Sequence, residues 1–277
     1  MNYRYNELEY AEKIYKNGFQ TDFIKYELIL LVKYLKQEKN MKLNDTINFI
    51  YKFCEKHIES YNQVLFYKVI DGAIKEGRKR NNKLIEIKSL PIYKCELEYI
   101  DSIKIENDYK KILLSFLINK KISHEVMKIN NKNIDNKISV YFNGTMKKYN
   151  KILKVSNLKE KHDINLVINK LVDLNLNKND KLIVPLVKGN IILQYINKID
   201  YKKNNEIFYD MPISGLNNIG YIFDYYKKVP NIKKCEGCKI LIKSKSNKQK
   251  YCPRCAKEIH KQNKLECWNK NKDKYRK

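Results

Sequence analysis

The chain has 277 residues, with 57 lysines and arginines against 31 aspartates and glutamates, so its formal net charge is +26. Its apolar content of 43% exceeds that of a disordered chain, and its longest apolar runs, at 26–32 and 182–187, are too short for a membrane span. The first residues lack the apolar stretch of a secretory signal. We therefore expect a soluble, cytoplasmic, basic protein, of mainly α fold with small β elements (α+β).

Residues 1–88 are predicted to form an N-terminal helical domain. Apolar residues recur with a period near 3.6, which is typical of helices packed on one face. The predicted helices lie at 7–15, 22–39, from a cap at Asn44 or Asp45 to His57, and at 63–74. The basic segment 75–83 then fits a solvated linker, with a phosphate contact as the alternative.

Residues 89–205 are predicted to form a middle domain that mixes helices with short strands. The pattern predicts helices at 108–118, 149–158 and 164–174, and strands at 137–141, 182–187 and 191–196. Asp163 is placed to cap the third of these helices, and a turn at 188–190 joins the last two strands. Pro185 conflicts with this pattern, because proline cannot donate a hydrogen bond to a sheet.

This order of elements is that of a winged helix-turn-helix. The segment 164–176 with the hairpin after it resembles the recognition helix and wing of winged-helix DNA-binding proteins. The resemblance implies that this helix enters the major groove of DNA while flanking cations hold phosphates. An ordinary solvated helix face is the alternative. The nucleic-acid contacts expected here are Lys154, Lys159, Lys161, Asn165, Asn169, Lys170, Lys181 and Lys188, with His162 beside them.

Residues 206–232 are interpreted as a connecting segment, and the strongest motif follows it. Cys235 and Cys238 form one C-x-x-C pair, and Cys252 and Cys255 form a second after thirteen residues. Four thiolates at this spacing are typical of a closed structural zinc site. A redox dithiol needs only one pair, whereas an iron–sulfur cluster would use all four cysteines. Of the other three cysteines, Cys54 is interpreted as a core residue on a helix and Cys95 as packing in a strand or loop, whereas Cys267 lies on the basic C-terminal segment.

Residues 233–277 are predicted to form a zinc ribbon with a basic C-terminal helix. The segment between the two pairs suggests a strand, a polar turn and a returning strand. This region carries 16 basic and 4 acidic residues, and such a local excess favours a polyanionic partner. The tail resembles zinc ribbons of uncharacterised proteins from Firmicutes phages and mobile elements. Lys245, Lys248, Lys250 and Arg254 are expected to contact nucleic acid, and Ile259, Leu265 and Trp268 to form a weak stripe against the ribbon.

No catalytic motif stands out in the sequence. The four histidines are far apart in sequence, and no phosphate-binding loop of the G-x-x-x-x-G-K-[ST] type is present. A zinc-braced nuclease is the enzymatic alternative, but only His260 lies near the cysteines. We expect a DNA-binding regulator or replication-associated factor of a phage or mobile element. A non-enzymatic interaction protein, such as an anti-defence inhibitor of a host protein or ribonucleoprotein, and an RNA-binding module are the alternatives.

Overall fold

The computed structural model describes residues 3–131, 137–158, 163–174, 181–203 and 205–272. The fold is mainly helical with small antiparallel sheets, as predicted. The chain divides into two compact units, one of residues 1–88 with 122–137 and one of residues 89–121 with 138–277. Within the described ranges, no helix combines the length and the apolar character needed to cross a bilayer.

Within residues 3–88 of the first unit, four α-helices lie close to the predicted positions. They are α1 (Glu7–Asn17), α2 (Ile24–Gln37), α3 (Leu43–His57) and α4 (Gln63–Gly77). The predicted cap of α3 is wrong, because the helix begins at Leu43 and Lys42 precedes it. Asn62 caps α4, since its side-chain oxygen accepts the N–H groups of Val64 at 2.9 Å and Leu65 at 3.2 Å.

The core of the first unit is built around α2. Leu28, Leu31 and Leu35 of this helix are fully buried, and α1, α3 and α4 all pack against α2. The unit also buries an ion pair, in which Lys33 Nζ lies 2.5 Å from Glu7 Oε2. Two buried charges remain stable only when each is paired, so this contact fixes α1 against α2.

The second unit begins with a strand pairing that the sequence did not predict. Strand β1 (Ser89–Tyr93) pairs antiparallel with β5 (Ile207–Pro212). Helices α5 (Lys94–Ser102) and α6 (Asn107–Asn130) follow β1, and α9 (Gly220–Tyr226) follows β5. The segment 206–232, interpreted above as a connector, therefore contains a strand, the 3-10 helix Ile213–Asn218 and a helix.

Helix α6 continues beyond its predicted end at residue 118, and a buried polar network contacts it there. Glu96 is fully buried, and its carboxylate accepts hydrogen bonds from Lys121 Nζ at 2.7 Å and from the Tyr201 hydroxyl at 2.9 Å. Its other oxygen accepts the N–H of Tyr93 at 2.9 Å. Because Lys121 gains this partner, a lysine that breaks the apolar pattern of α6 still lies inside the structure.

The middle of the second unit has the predicted order of helices and strands, but the strand bounds are wrong. Only residue 141 of the predicted strand 137–141 is in a strand, and residues 194–196 of the predicted strand 191–196 lie in the 3-10 helix Gln194–Lys198. The elements are β2 (Tyr141–Phe142), α7 (Met146–Val155), α8 (Ile164–Asp173), β3 (Val184–Pro185) and β4 (Ile191–Ile192). The three strands form an antiparallel sheet in the order β2-β4-β3. Pro185 is tolerated because β3 lies at the edge of this sheet. The predicted cap of α8 is confirmed, since Asp163 Oδ1 accepts the N–H of Asn165 at 2.8 Å.

Aromatic residues fasten the β2–β4 region onto α6. The ring centroids of Phe116 and Phe142 lie 5.0 Å apart at an edge-to-face angle. The Tyr149 hydroxyl of α7 donates to the Gly189 carbonyl at 2.6 Å, and the buried Tyr195 hydroxyl donates to the Leu113 carbonyl at 2.6 Å. Helix α7, the β3–β4 turn and the segment after β4 are thereby tied to one another and to α6.

The C-terminal module, defined as residues 232–272, contains a hairpin and one long helix. Strands β6 (Ile232–Lys234) and β7 (Leu241–Lys243) pair antiparallel, and α10 spans Pro253–Asn271. The predicted strand near residue 241 is confirmed, but its partner lies before the first cysteine pair. The predicted returning strand is wrong, because residues 244–252 form turns and bends.

Candidate metal centre and nucleic-acid interface

The first cysteine pair lies in the turn that connects β6 with β7. The N–H of Cys235 donates to the Ile240 carbonyl at 2.8 Å, and the Cys235 carbonyl accepts the N–H of Lys239 at 2.9 Å. These two bonds close the turn around Cys238. Both thiols of the pair are therefore held on one tight loop.

The second pair lies at the start of α10. Cys252 is the N-cap residue, and Pro253 occupies the first turn, where proline favours helix initiation. The N–H of Cys252 donates to Cys235 Sγ at 3.2 Å, which joins the two pairs directly. Gly237 allows Cys255 to approach the first pair, because a Cβ at position 237 would lie 3.0 Å from Cys255 Sγ.

The four thiols converge on one point. Their Sγ atoms all lie within 4.8 Å of one another, and those of Cys238 and Cys252 are 3.7 Å apart. A tetrahedron with zinc–sulfur bonds of about 2.3 Å has sulfurs about 3.8 Å apart, so the spacing fits such an ion. In the described part of the chain, no other group of three or more histidine, cysteine or acidic side chains is close enough to share a metal. The four cysteines can therefore hold a metal ion.

The thiols of this cluster differ in acidity. Burial raises the pKa of Cys235, but the N–H groups of Cys238, Cys252 and Gly237 lower it by more, to about 6. Burial and hydrogen bonds with the neighbouring cysteines raise the pKa of Cys255. The first thiolate thus forms readily, whereas complete ionisation of the cluster requires a cation to compensate the negative charge.

The other three cysteines lie apart from this cluster. Cys54 and Cys95 are buried, and burial raises the pKa of Cys54 to about 12, which makes its thiol unreactive. Both pack as predicted, but Cys95 lies in helix α5 and not in the predicted strand or loop. Cys267 is exposed on α10, the basic C-terminal helix.

Helix α8 exposes the two asparagines predicted to read bases. Asn165 and Asn169 are four residues apart and lie on the same exposed side of the helix. Leu166 is 69% exposed beside them, although the sequence pattern gave it no role. Lys170 is engaged elsewhere, because its Nζ lies 2.8 Å from Glu106 Oε1 and over the Tyr109 ring.

Helix α7 presents more lysines than the sequence analysis named. Lys154 is exposed as expected, and Lys147 and Lys151 are exposed on the same face at spacings of three and four residues. Tyr149, Ile152 and Val155 are buried on the other face. Lys159, Lys161 and His162 lie outside the described residues.

The turn between β3 and β4 carries the predicted wing residues. Lys188 is exposed and has a left-handed backbone with φ of 59°. Its neighbour Val187 is also exposed, and Asn190 Oδ1 accepts the N–H of Gly144 at 3.2 Å, which anchors the turn to the residues after β2. Lys181 is exposed before β3.

The tail residues named from the sequence are all exposed. Lys245, Lys248 and Lys250 lie in the turns between β7 and α10, and Arg254 lies in the first turn of α10. The guanidinium of Arg254 is 3.6 Å from Glu258 Oε1 in the same helix. At the surface a contact of this length adds little free energy, so Arg254 can exchange this partner for another anion.

The rest of α10 differs from the expectation. Leu265 and Trp268 are 59% and 58% exposed, so they do not pack against the ribbon as predicted, and only Ile259 is partly buried. Cations that the sequence analysis did not single out continue the line of Arg254 along the helix. They are Lys257, Lys261, Lys264 and Lys272. The sequence itself indicates this line, because these lysines follow Arg254 at helical spacing.

Comparison of the chain with protein-family models, with curated proteins and with solved structures gives no match.

Proposed function

We propose that the protein binds duplex DNA through α7, α8 and the β3–β4 hairpin, as a regulator or replication-associated factor of a phage or mobile element. The arrangement of these elements is the observation that carries the proposal. Two helices lie between β2 and the hairpin, and the sheet order β2-β4-β3 places the last strand between the other two. This is similar to a winged helix, in which the second helix reads the major groove.

The exposed side of α8 has the chemistry of base recognition. Asn165 and Asn169 each offer an amide that pairs with the N6 and N7 of adenine, and Leu166 offers an apolar contact for the methyl group of thymine. Both interactions belong to A·T pairs read from the major groove. The proposed target is therefore A·T-rich duplex DNA, because the major groove of duplex RNA is too narrow for side chains to read.

Lysines around α8 supply the phosphate contacts in this proposal. The exposed face of α7, with Lys147, Lys151 and Lys154, lies on the helix that precedes α8, and Lys181 and Lys188 flank the hairpin. Phosphate contacts hold the register of a protein on DNA without reading its sequence. Lys170, which pairs with Glu106, has a smaller part here than its sequence position suggested.

The metal in this proposal is one structural zinc ion held by Cys235, Cys238, Cys252 and Cys255. Four thiolates leave no open coordination position, so the ion would stabilise the module and not act in catalysis. The spacing of the sulfurs supports zinc over a redox dithiol, because all four thiols meet at one point. An iron–sulfur cluster uses the same ligands, and metal analysis separates the two.

The test compares two pairs of asparagines. The double variant Asn165→Ala with Asn169→Ala should bind a selected A·T-rich duplex more weakly by ~1–3 kcal/mol per lost pairing, and random duplexes almost as before. Asn44→Ala with Asn48→Ala is the matched control, since these asparagines are also exposed and four apart, on α3. Equal binding of the selected duplex by both variants would contradict base reading by α8.

A second candidate function is suggested by an apolar surface on the first unit. Phe23, Val64 and Leu65 are each more than three-quarters exposed, and Phe23 lines a groove with Phe66 and Val69 of α4. Exposed apolar surface of this kind is typical of protein-binding sites. A pull-down from host lysate with nuclease, comparing wild type with Leu65→Asp, tests this candidate. A partner lost on that substitution supports it, and an unchanged set of partners contradicts it.

A further inference from the structure

Helix α10 is attached to its module at one end only. Cys255 is buried and Ile259 is partly buried, whereas the other residues from 256 to 270 are exposed. Its 19 residues extend about 28 Å. A helix so little supported by packing is a surface element, and its exposed side chains are available to a partner.

The side of α10 opposite Cys255 and Ile259 carries one continuous stripe of cations with an indole in it. Successive members are three or four residues apart, so they lie above one another on the helix, about 4.5–6 Å apart along its axis. We call this set the α10 stripe. It consists of Arg254, Lys257, Lys261, Lys264, Trp268 and Lys272.

The three central lysines of the stripe are available for binding. Lys257, Lys261 and Lys264 form no ion pair with any residue in the described ranges, which distinguishes them from Lys170 on α8. The two acidic residues of the helix, Glu258 and Glu266, lie outside the stripe. Within the stripe, only Arg254 has an acidic partner among the described residues, Glu258 at 3.6 Å, so the three central lysines present the positive surface that a polyanionic partner requires.

The position of Trp268 narrows the class of polyanion. It is the single tryptophan of the chain, it is 58% exposed, and Lys272 Nζ lies 5.6 Å from its ring centroid. A lipid surface needs several apolar residues on one helix face, but Leu265 is the one exposed aliphatic side chain beside Trp268, and Ile259 lies on the opposite side of α10. An indole among phosphate-binding lysines has a natural partner in an unpaired base, since aromatic rings stack on the bases of single strands.

We infer that the α10 stripe binds single-stranded nucleic acid, with its lysines on successive phosphates and Trp268 stacked on an unpaired base. The inference rests on the proposed function in that the partner is nucleic acid. It assigns single strands to α10, whereas the proposed function assigns duplex DNA to α8. Together the two surfaces suit a protein that holds a duplex next to an unwound or single-stranded segment.

The first experiment measures binding of the zinc-loaded full chain to dT20, U20 and a 20-base-pair duplex by fluorescence anisotropy in a salt series. The variant Lys257→Gln, Lys261→Gln, Lys264→Gln should bind dT20 roughly 100-fold more weakly at 0.1 M salt. Its plot of log affinity against log salt should flatten by about 2, since each lost phosphate contact removes about 0.7. Comparison of dT20 with U20 distinguishes DNA from RNA as the source of the strand.

A control removes the same charge elsewhere. Lys52, Lys56 and Lys68 are exposed lysines on α3 and α4, and their joint change to glutamine also lowers the net charge by three. Lysine and glutamine have similar helix propensities, so both variants keep their helices. The control should bind dT20 within about threefold of wild type. If the two variants weaken dT20 binding equally, only net charge matters and the inference is overturned.

The second experiment uses Trp268 as its own reporter. Binding of dT20 should quench its fluorescence, and Trp268→Ala should weaken dT20 binding by about 5- to 150-fold while Trp268→Phe retains part of the affinity. The duplex should be affected less. Unquenched fluorescence, or an equal loss for duplex and single strand, overturns the assignment to single strands.

The outcomes separate this inference from the proposed function. A protein that binds the duplex but not dT20 or U20 overturns the inference and leaves the function of α8 standing. A protein whose stripe binds dT20, but whose Asn165→Ala, Asn169→Ala variant reads duplexes like wild type, supports the inference and contradicts the function of α8. Binding to phosphatidylserine vesicles that is lost with the stripe, without any binding of single strands, overturns the inference in favour of a lipid surface.

Discussion

The first unit and the C-terminal module differ in the interactions that stabilise them. The helices of the first unit share a large apolar core that includes Ile14, Leu31 and Ile50, each fully buried. The cluster around the metal centre of the module buries three cysteines, with Ile242 as their one buried aliphatic neighbour. The first region has a large apolar core, whereas the second is centred on four cysteines that can hold a metal ion.

This difference shows which free energy maintains each region. Removal of apolar surface from water stabilises a large core without any ligand. A module of about 40 residues buries little apolar surface, so in our proposal a metal ion at the four cysteines supplies much of its folding free energy. We therefore expect the presentation of the α10 stripe to depend on zinc, and the first unit to fold without it.

The largest expected effect breaks the module alone. Cys252→Ser should lose the metal and unfold the region around the four cysteines, because structural zinc contributes on the order of 10–16 kcal/mol of apparent binding free energy in small zinc-finger peptides. Elemental analysis should find one zinc per wild-type chain and none in the variant. Hydrogen exchange should show loss of protection at 232–260, with the helices of the first unit unchanged.

Cys267→Ser is the control for this prediction, because Cys267 is exposed and lies outside the cluster. It should keep both zinc and protection. Three results would contradict a structural zinc ion at these cysteines. They are iron in the wild-type protein, no metal in the wild-type protein, and zinc retained by the Cys252→Ser variant.

The next effect concerns the first unit, in which the buried ion pair of Lys33 and Glu7 accompanies the apolar core. Lys33→Met should lower the free energy of unfolding by about 3–5 kcal/mol, because Glu7 would remain buried without its cation. Adding Glu7→Gln should restore part of the loss. Denaturant unfolding followed by circular dichroism checks both. If Lys33→Met alone is as stable as wild type, water reaches the Glu7 carboxylate and the buried ion pair is contradicted.

The third effect concerns the buried face of α8, which is stabilised by apolar packing like the first unit. Leu171 is 0% exposed and Leu166 is 69% exposed, so the same substitution has two different expected costs in one helix. Leu171→Ala should lower the free energy of unfolding by roughly 2–5 kcal/mol, and Leu166→Ala by no more than ~0.5 kcal/mol. Denaturant titration measures both. Equal costs would contradict the assigned buried face of α8.

The smallest effect concerns ion pairs near the surface of the second unit. Burial raises the pKa of Asp101, but Lys227 and Lys110 lower it by more, to below its ordinary value of 3.8. A lowered pKa means that this contribution to stability is complete above the ordinary value and is lost as pH falls through the folded value. Asp101→Asn should therefore be less stable than wild type near pH 6, with a gap that narrows below about pH 4. A gap independent of pH would contradict this ion pairing.

Local patterns predicted most of the helices and the cluster of four cysteines, but not α5 or α9. The apolar period of 164–174 predicted α8, and the polar residue before it predicted the cap at Asp163, because both signals lie within a few residues. The two C-x-x-C pairs predicted the cluster for the same reason. The exposure of Leu265 and Trp268 was missed, since a helical pattern does not reveal whether another element covers it.

Long-range pairing was beyond local patterns. Strand β1 pairs with β5 although more than a hundred residues separate them, and neither segment indicates its partner. The burial of Lys121 could not be predicted either. A lysine is expected to be solvated, and the sequence does not show that the fold brings Glu96 to Lys121 and Tyr201 to Glu96. The contacts that decide these positions are tertiary.

The most direct test of the central claim, that this protein binds nucleic acid, is the salt dependence of its affinity for a random 30-base-pair duplex. The zinc-loaded protein should bind with a dissociation constant of about 10⁻⁶–10⁻⁴ M at physiological salt, and log affinity should fall linearly with log salt. Each phosphate contact should add about 0.9 to the slope. No detectable binding at 50 mM salt, or an affinity independent of salt, would contradict the account.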